Sequence, residues 1–362
     1  MVKRIGFHII AQYEDAAYNA RIGAMKPSLL TYVCGTNELG KVKAMRDLTG
    51  SDTTYVVRIK PFEDAATAAY RNGADPIAAA RTWADATALL AKDNRIEFAY
   101  FQGLNEQKGN YEWQAAFDVA RIKFLMTHGI RCAIGAFARG NPEPADWLLY
   151  SPALDAVLAY SGLLALHEYA YGGSMLKDEG WQVGRWALLP NPYRSAIPIA
   201  ITEYGYDNGN ETGFAMTGRS SEYYVADMVT AKEKWYDPYP NVIGCSVYTL
   251  DNSEWGTTKG FHAGGAIFNA IEKYNATVSL APAPAPSPAP PPPSTAPTET
   301  GELEVLGQLY HVKAGVSLRQ RIGPGLDQPI MSVLPSGTPV MVKAFEGDWA
   351  VVQSYVHKDY IK

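Results

Sequence analysis

The chain has 362 residues, 47% hydrophobic and 12% aromatic, which is too long for one average domain and rich enough in apolar side chains for a large core. Its formal net charge of -5 and pI near 5.7, with no dense run of Lys or Arg, exclude nucleic acid as the expected partner. No apolar stretch approaches the ~18 to 20 residues that span a bilayer, so a soluble protein is expected. Cys34, Cys132 and Cys245 are odd in number, widely spaced and set in apolar runs, and they read as buried small hydrophobes without a metal or disulfide framework.

In chain order, "MVKRIGFHII" passes almost directly into a strand-like run, so either export is not encoded here or a leader has been removed. Apolar β-rich runs then recur at 4–10, 28–33, 54–60, 97–103, 130–138, 163–169, 198–204 and 242–250. Helical periodicity fills the gaps, best at 75–93, 110–129 and 220–237. Eight strands each followed by a helix over residues 1–280 predict a (β/α)₈ TIM barrel. A doubly wound sheet is the alternative, but no Gly-rich phosphate loop follows the first strand.

The stretch "APAPAPSPAPPPPSTAPTET", 281–300, lacks the amide donors for helix or sheet and reads as a stiff linker. In polyproline II geometry, about 20 residues at ~3.1 Å each reach up to ~60 Å. Residues 301–362 carry short β-rich runs and turn signals such as "GPG" and "PSG", which predict a small all-β module. Through "LR…GPG", "LPSGTPV", "GDWAVV" and "KDYI" this part resembles a bacterial SH3-like domain. The resemblance implies a tether, with a cell-wall peptide or glycan as its candidate ligand.

In a barrel, the C-terminal strand ends carry the chemistry. "FAYFQGLNEQ" ends strand four in Asn105 and Glu106, and "IAITEYGY" puts Glu203 at the end of strand seven. By the period of two, Ile199, Ile201 and Glu203 are expected to share the face that points into the barrel. Strands four and seven lie on roughly opposite sides of a barrel mouth. Two facing carboxylates, one protonated and one ionised, are what glycosidic bond cleavage requires.

With "LNEQ", "LHEYAYG", "ITEYGY" and "DNSEW" the chain resembles the clan-A glycoside hydrolases in architecture over roughly 4–276. The resemblance implies Glu106 as general acid/base, Glu203 as nucleophile, Asn105 as the contact to a sugar 2-hydroxyl, and a retaining mechanism. Arg58, at the end of strand three, is positioned to hold Glu203 ionised. His167 and Tyr169, two apart on strand six, share a face from which they can orient the nucleophile, while Glu168 points the other way. Trp255 offers a sugar-stacking platform, and Tyr206, Tyr171 and His8 are further candidates for the cleft.

His167-Glu168 lacks a second histidine at helical spacing, and no G-x-S-x-G elbow is present, so no metal, cofactor or serine nucleophile is expected. The expected partner is a polysaccharide or glycoconjugate, met by a monomer outside the cell or at the cell wall. A cell-wall lysin of endolysin type and a non-catalytic carbohydrate-binding protein remain alternatives. The lysin reading lacks an Asp-rich first strand in "RIGFHII", and the binding reading must explain two retained glutamates.

Overall fold

The computed structural model describes residues 2–171, 173–177, 179–207, 212–251 and 253–278, except the side chains of Tyr13, Glu254 and Trp255, and the backbone of seven short strands between residues 308 and 357. Eight parallel strands close in sequence order: β1 (Gly6–Ile10), β2 (Leu29–Cys34), β3 (Thr54–Ile59), β4 (Tyr100–Gln102), β5 (Arg131–Phe137), β6 (Leu163–Ala170), β7 (Ile199–Tyr206) and β8 (Val242–Leu250), with β8 pairing back on β1. Each falls within or overlaps an apolar run read from the sequence. Three long helices also lie where the periodicity put them: Pro76–Asp93, Tyr111–Met126 and Ser221–Trp235. Asp75 caps the first through the Ile77 N–H at 2.9 Å with Pro76 just inside, and Ser220 caps the third through the Tyr223 N–H.

The regular alternation breaks after β6. The expected helix is replaced by a long connection whose described residues hold only a 3-10 turn, Arg185–Leu188, and one helical turn, Tyr193–Ala196. Gly180, Gly184, Pro190, Pro192 and Pro198 interrupt this stretch, which explains the missing helix. β4 is also shorter than expected, because the N–H groups of Ile96 and Ala99 close turns onto Ala91 and Ile96 before the strand can begin.

Buried Arg121 compensates for the short strand. It donates to the carbonyls of Phe101 on β4 and Ala133 on β5 at 3.1 and 2.9 Å, and it is charge-paired with Asp118. A Cβ on Gly103 would lie 2.7 Å from that guanidinium, so the chain leaving β4 needs glycine there.

Small side chains fill the barrel interior, among them Leu29, Val56, Ala133, Ala136, Leu163, Ala165 and Ala200. Larger ones pack between sheet and helices. Here the alternation argument for β7 is corrected: Ile199 and Ile201 pack outward with the helix layer, whereas Ala200 points in. The register against β6 jumps from Leu166↔Ile201 to His167↔Glu203, so Thr202 is an extra residue. This bulge reverses the parity of the strand and brings Glu203 inward.

The chain divides into two compact units, Met1–Ala285 and Pro286–Lys362. In the second, five antiparallel strands run in the order Ile330–Leu334, Leu318–Arg321, Tyr355–His357, Trp349–Val351, Ala344–Glu346, and Gln308–His311 pairs with Pro339–Val342. The Pro-rich linker expected at 281–300 lies outside the described residues. No helix among the described residues is long and apolar enough to cross a membrane.

Candidate active site

Glu203 is 6% exposed, with both carboxylate oxygens engaged. Oε1 accepts from Arg58 Nη1 at 2.7 Å, and Oε2 accepts from the Tyr169 hydroxyl at 2.5 Å. Arg58 comes from β3, across the barrel, and Tyr169 from β6, beside β7, so strands on two sides of the barrel fix one carboxylate.

The other edge of the guanidinium is held by Glu63, with Nε–Oε2 at 2.9 Å and Nη2–Oε1 at 3.3 Å. Glu63 lies in the first turn of the helix Lys60–Arg71, close to Lys60 at 3.1 Å. Burial works against the charge on Arg58, but Glu63 and Glu203 outweigh it and hold its pKa above the ordinary value. Burial likewise pushes Glu63 up, and the charge of Arg58 brings it below the usual carboxylate range.

His8 lies buried beside this pair. The Thr249 hydroxyl donates to the His8 carbonyl at 3.0 Å, so its oxygen receives the His8 Nδ1 proton at 3.2 Å. That leaves Nε2 unprotonated, 3.5 Å from Arg58 Nη1 and 3.6 Å from Glu203 Oε1. Burial drives the His8 pKa down to about 3 despite the nearby Glu203 charge, so the imidazole is neutral.

Glu106 lies four residues past the end of β4, and its position depends on β5. Gly135 and Ala136 are both left-handed, with φ of 83° and 50°, where β5 bulges against β6. At this bulge the Ala136 carbonyl accepts the Glu106 N–H at 3.0 Å. Glu106 is itself left-handed at φ 53°, a conformation costing a non-glycine residue on the order of 1 to 2 kcal/mol.

The Glu106 side chain, 39% exposed, meets His167 Nδ1 at 2.7 Å; the same nitrogen is 3.4 Å from Glu203 Oε2. His167 therefore stands between the two carboxylates. Burial pushes the Glu106 carboxyl up, but the His167 hydrogen bond and the charges of His167 and Arg58 outweigh it and hold the carboxyl below its usual range.

Glu106, Glu203 and Tyr169 line one cleft of about 250 Å³, together with Ala138, Arg139, Asp207, Tyr248 and Phe261. Arg58, His8 and His167 support these groups from within the barrel. Asn105 sits at the edge, where its Oδ1 accepts from Gln102 Nε2 at 3.2 Å. Glu168 faces outward, as alternation requires, and binds the Gly184 and Arg185 N–H groups at 2.8 and 2.9 Å and the Tyr236 hydroxyl at 2.5 Å.

Tyr206 is corrected as a cleft residue. On the outward face of β7, its hydroxyl donates to Asp227 in the helix Ser221–Trp235. Tyr171 is 49% exposed beyond the cleft lining, and the Trp255 side chain lies outside the described residues.

Sequence reasoning missed Glu63, Arg139, Asp207, Tyr248 and Phe261. Glu63 had a signal, an acidic residue one turn into a Pro-initiated helix directly after Arg58 in "RIKPFE". Arg139 and Asp207 also follow the tips of predicted strands.

One nitrogen of His167 and one oxygen each of Glu106 and Glu203 lie within 4.8 Å of one another, a spacing open to a divalent cation. The donor set fits one poorly, because Arg58 and Tyr169 already occupy both Glu203 oxygens and the guanidinium would repel a second cation. The arrangement instead holds two carboxylates facing one small cleft.

No family model and no curated protein matches the chain. Among solved structures, it is similar to a GH26 β-mannanase from Bacteroides ovatus at 12% identity and TM-score 0.50, over 76% of this chain and 89% of that one. An endo-β-1,4-glucanase from Xanthomonas axonopodis pv. citri aligns at 12% identity and TM-score 0.48, over 76% and 98%. At this identity the β-mannanase likeness shows the barrel fold alone.

Proposed function

We propose that the barrel is a retaining glycoside hydrolase of β-linked glycans, with Glu203 as nucleophile and Glu106 as general acid/base. The observation that carries this reading is the pair itself: carboxylate oxygens from Glu106 and Glu203 within 4.8 Å across one cleft. That distance suits direct attack, for which carboxyl groups stand ~5 to 5.5 Å apart, better than the ~6.5 to 9.5 Å that leaves room for an intervening water.

In this reading Arg58 and Tyr169 hold both oxygens of Glu203 and keep it aimed at the anomeric carbon. Attack forms a glycosyl ester on Glu203 while Glu106 passes a proton to the departing glycosidic oxygen. Glu106 then removes a proton from the water that cleaves the ester and restores Glu203. A bound sugar excludes water from Glu106 and so strengthens the burial that already pushes its pKa upward, which favours the protonated acid before the first step. Asn105, with one face of its amide fixed by Gln102, supplies a donor for a sugar hydroxyl.

Residues 301–362 are proposed to be an SH3-like tether to cell-wall material, joined by the stiff linker to a catalytic unit that works outside the cell. The test is a panel of β-glycans, peptidoglycan included, with the first-formed anomer followed by proton NMR. The β-anomer is expected. The α-anomer would overturn retention, and absence of hydrolysis across the panel would overturn the glycosidase reading.

A further inference from the structure

Arg139 is the one cation that lines the cleft among the described residues, and the chemistry above gives it no role. Its Nη1 is buried without a hydrogen-bond partner. The guanidinium carbon lies 5.1 Å over the half-exposed Tyr171 ring, a contact that orients the side chain without neutralising it. Arg58, the other guanidinium of the barrel mouth, is by contrast saturated by Glu63 and Glu203.

The backbone under Arg139 is fixed. Asn141 donates from its side chain to the Arg139 carbonyl at 3.2 Å and from its N–H to the Ala138 carbonyl at 3.0 Å. Arg185 Nη2 donates to the Gly140 carbonyl at 2.9 Å and also to that of Pro142. The Trp181 ring packs so closely on Gly140 that a Cβ there would stand 3.0 Å from it. Arg185 is in turn anchored through its N–H to Glu168 on β6, the strand that carries His167 and Tyr169. Arg139 is thus set in register with the reacting groups.

A desolvated guanidinium nitrogen without a partner is costly, and the cost is recovered when a ligand supplies an acceptor. A sugar hydroxyl offers one neutral acceptor, whereas a planar carboxylate matches the guanidinium fork with a two-pronged, charge-assisted contact. We infer that Arg139 forms a subsite for a carboxylate on the sugar bound beside Glu106 and Glu203, so that the substrate is an acidic β-glycan. The inference rests on the glycosidase reading. The carboxylate has two chemical sources, the C6 acid of a uronic acid or the lactyl ether of a muramyl residue.

The test compares matched substrates: β-linked oligouronides against their carboxyl-reduced forms, and peptidoglycan fragments against β-1,4-linked N-acetylglucosamine oligomers. For the matching source, the acid-to-neutral ratio of kcat/KM should be about ten- to a hundredfold, the range expected of a hydrogen bond to a charged group. Arg139→Ala should bring that ratio close to one, and Arg139→Lys should keep part of it. Because the readout is a ratio, a loss of folded enzyme cancels.

In parallel, calorimetry on a Glu203→Gln variant, with and without Arg139→Ala, measures binding of the same oligosaccharides. Arg139-dependent binding of the acidic member without turnover of any glycan would support the subsite and overturn the hydrolase. Turnover with a ratio near one, or a ratio that Arg139→Ala leaves in place, would overturn the subsite while the hydrolase stands. Tighter binding of a sulfated oligosaccharide than of either carboxylated one would overturn the carboxylate assignment.

Discussion

Glu168 and Tyr169 are adjacent on β6, yet their side chains leave the sheet on opposite sides and complete two different structures. The Tyr169 hydroxyl bonds Glu203 at 2.5 Å inside the barrel, and the Glu168 carboxylate gathers the Gly184 and Arg185 N–H groups outside it. Strand pleating thus lets two neighbouring residues position the Glu203 carboxylate and the loop that carries Gly184 and Arg185.

For Tyr169→Phe, kcat/KM should fall about ten- to a hundredfold, the worth of a hydrogen bond to a charged acceptor, with little change in Tm. Steady-state kinetics beside thermal melts check this. Full activity in a folded variant would mean that Arg58 alone orients Glu203.

Glu168→Gln tests a pH-dependent contribution to stability. Burial raises the Glu168 pKa from 4.5 to about 7, although the Tyr236, Gly184 and Arg185 donors oppose it. The folded chain therefore binds more protons than the unfolded chain between those values. The contribution is fully present below pH ~4.5 and is lost as pH rises through about 7, a change on the order of 3 kcal/mol. Denaturant midpoints across this window should show wild type losing stability relative to Glu168→Gln as pH rises; parallel curves would contradict it.

The two carboxylates separate by chemical rescue. Azide should restore turnover of an activated glycoside to Glu106→Ala, giving a β-glycosyl azide by attack on the covalent intermediate. Glu203→Ala should form no such intermediate. Retained azide product from Glu203→Ala, and none from Glu106→Ala, would exchange the two roles.

His167→Phe removes the donor that holds Glu106 low, so burial acts with less opposition and the acid stays protonated to higher pH. The alkaline limb of kcat/KM, which reports the acid in the free enzyme, should move upward even though the rate falls. A limb that stays in place would assign it to another group.

A chain ending at residue 280 contains every strand of the closed barrel and all the cleft residues. It should keep its rate on a small soluble glycoside and lose rate on wall-bound or insoluble substrate, where tethering raises effective concentration. Aggregation or loss of the soluble activity would mean that the two units depend on one another.

All eight strands were legible because a parallel strand, buried on both faces, is written as a short apolar run that few other elements imitate. Glu106, Glu203, Arg58, His167 and Tyr169 were findable as polar groups interrupting those runs near their ends. What alternation cannot reveal is an inserted residue: the pattern put Ile201 and Glu203 on one face, and Thr202 separates them onto two. Tyr206 follows from the same count, since inward Glu203 requires outward Tyr206. Arg139 escaped because its value lies in an unfilled hydrogen bond, which exists only once the surrounding loop has folded.

The extra residue at Thr202 also makes β7 a place where reading frame in space matters more than side-chain identity. Drawing Thr202 into the regular pairing opposite His167 would alter no charged group, yet it would turn the carboxylate of Glu203 toward the helices, whereas deleting Thr202 would leave Glu203 opposite His167 and still inward. A relative that paired β7 without the jump would keep the same residues in its aligned sequence while the carboxylate of Glu203 had left the chamber.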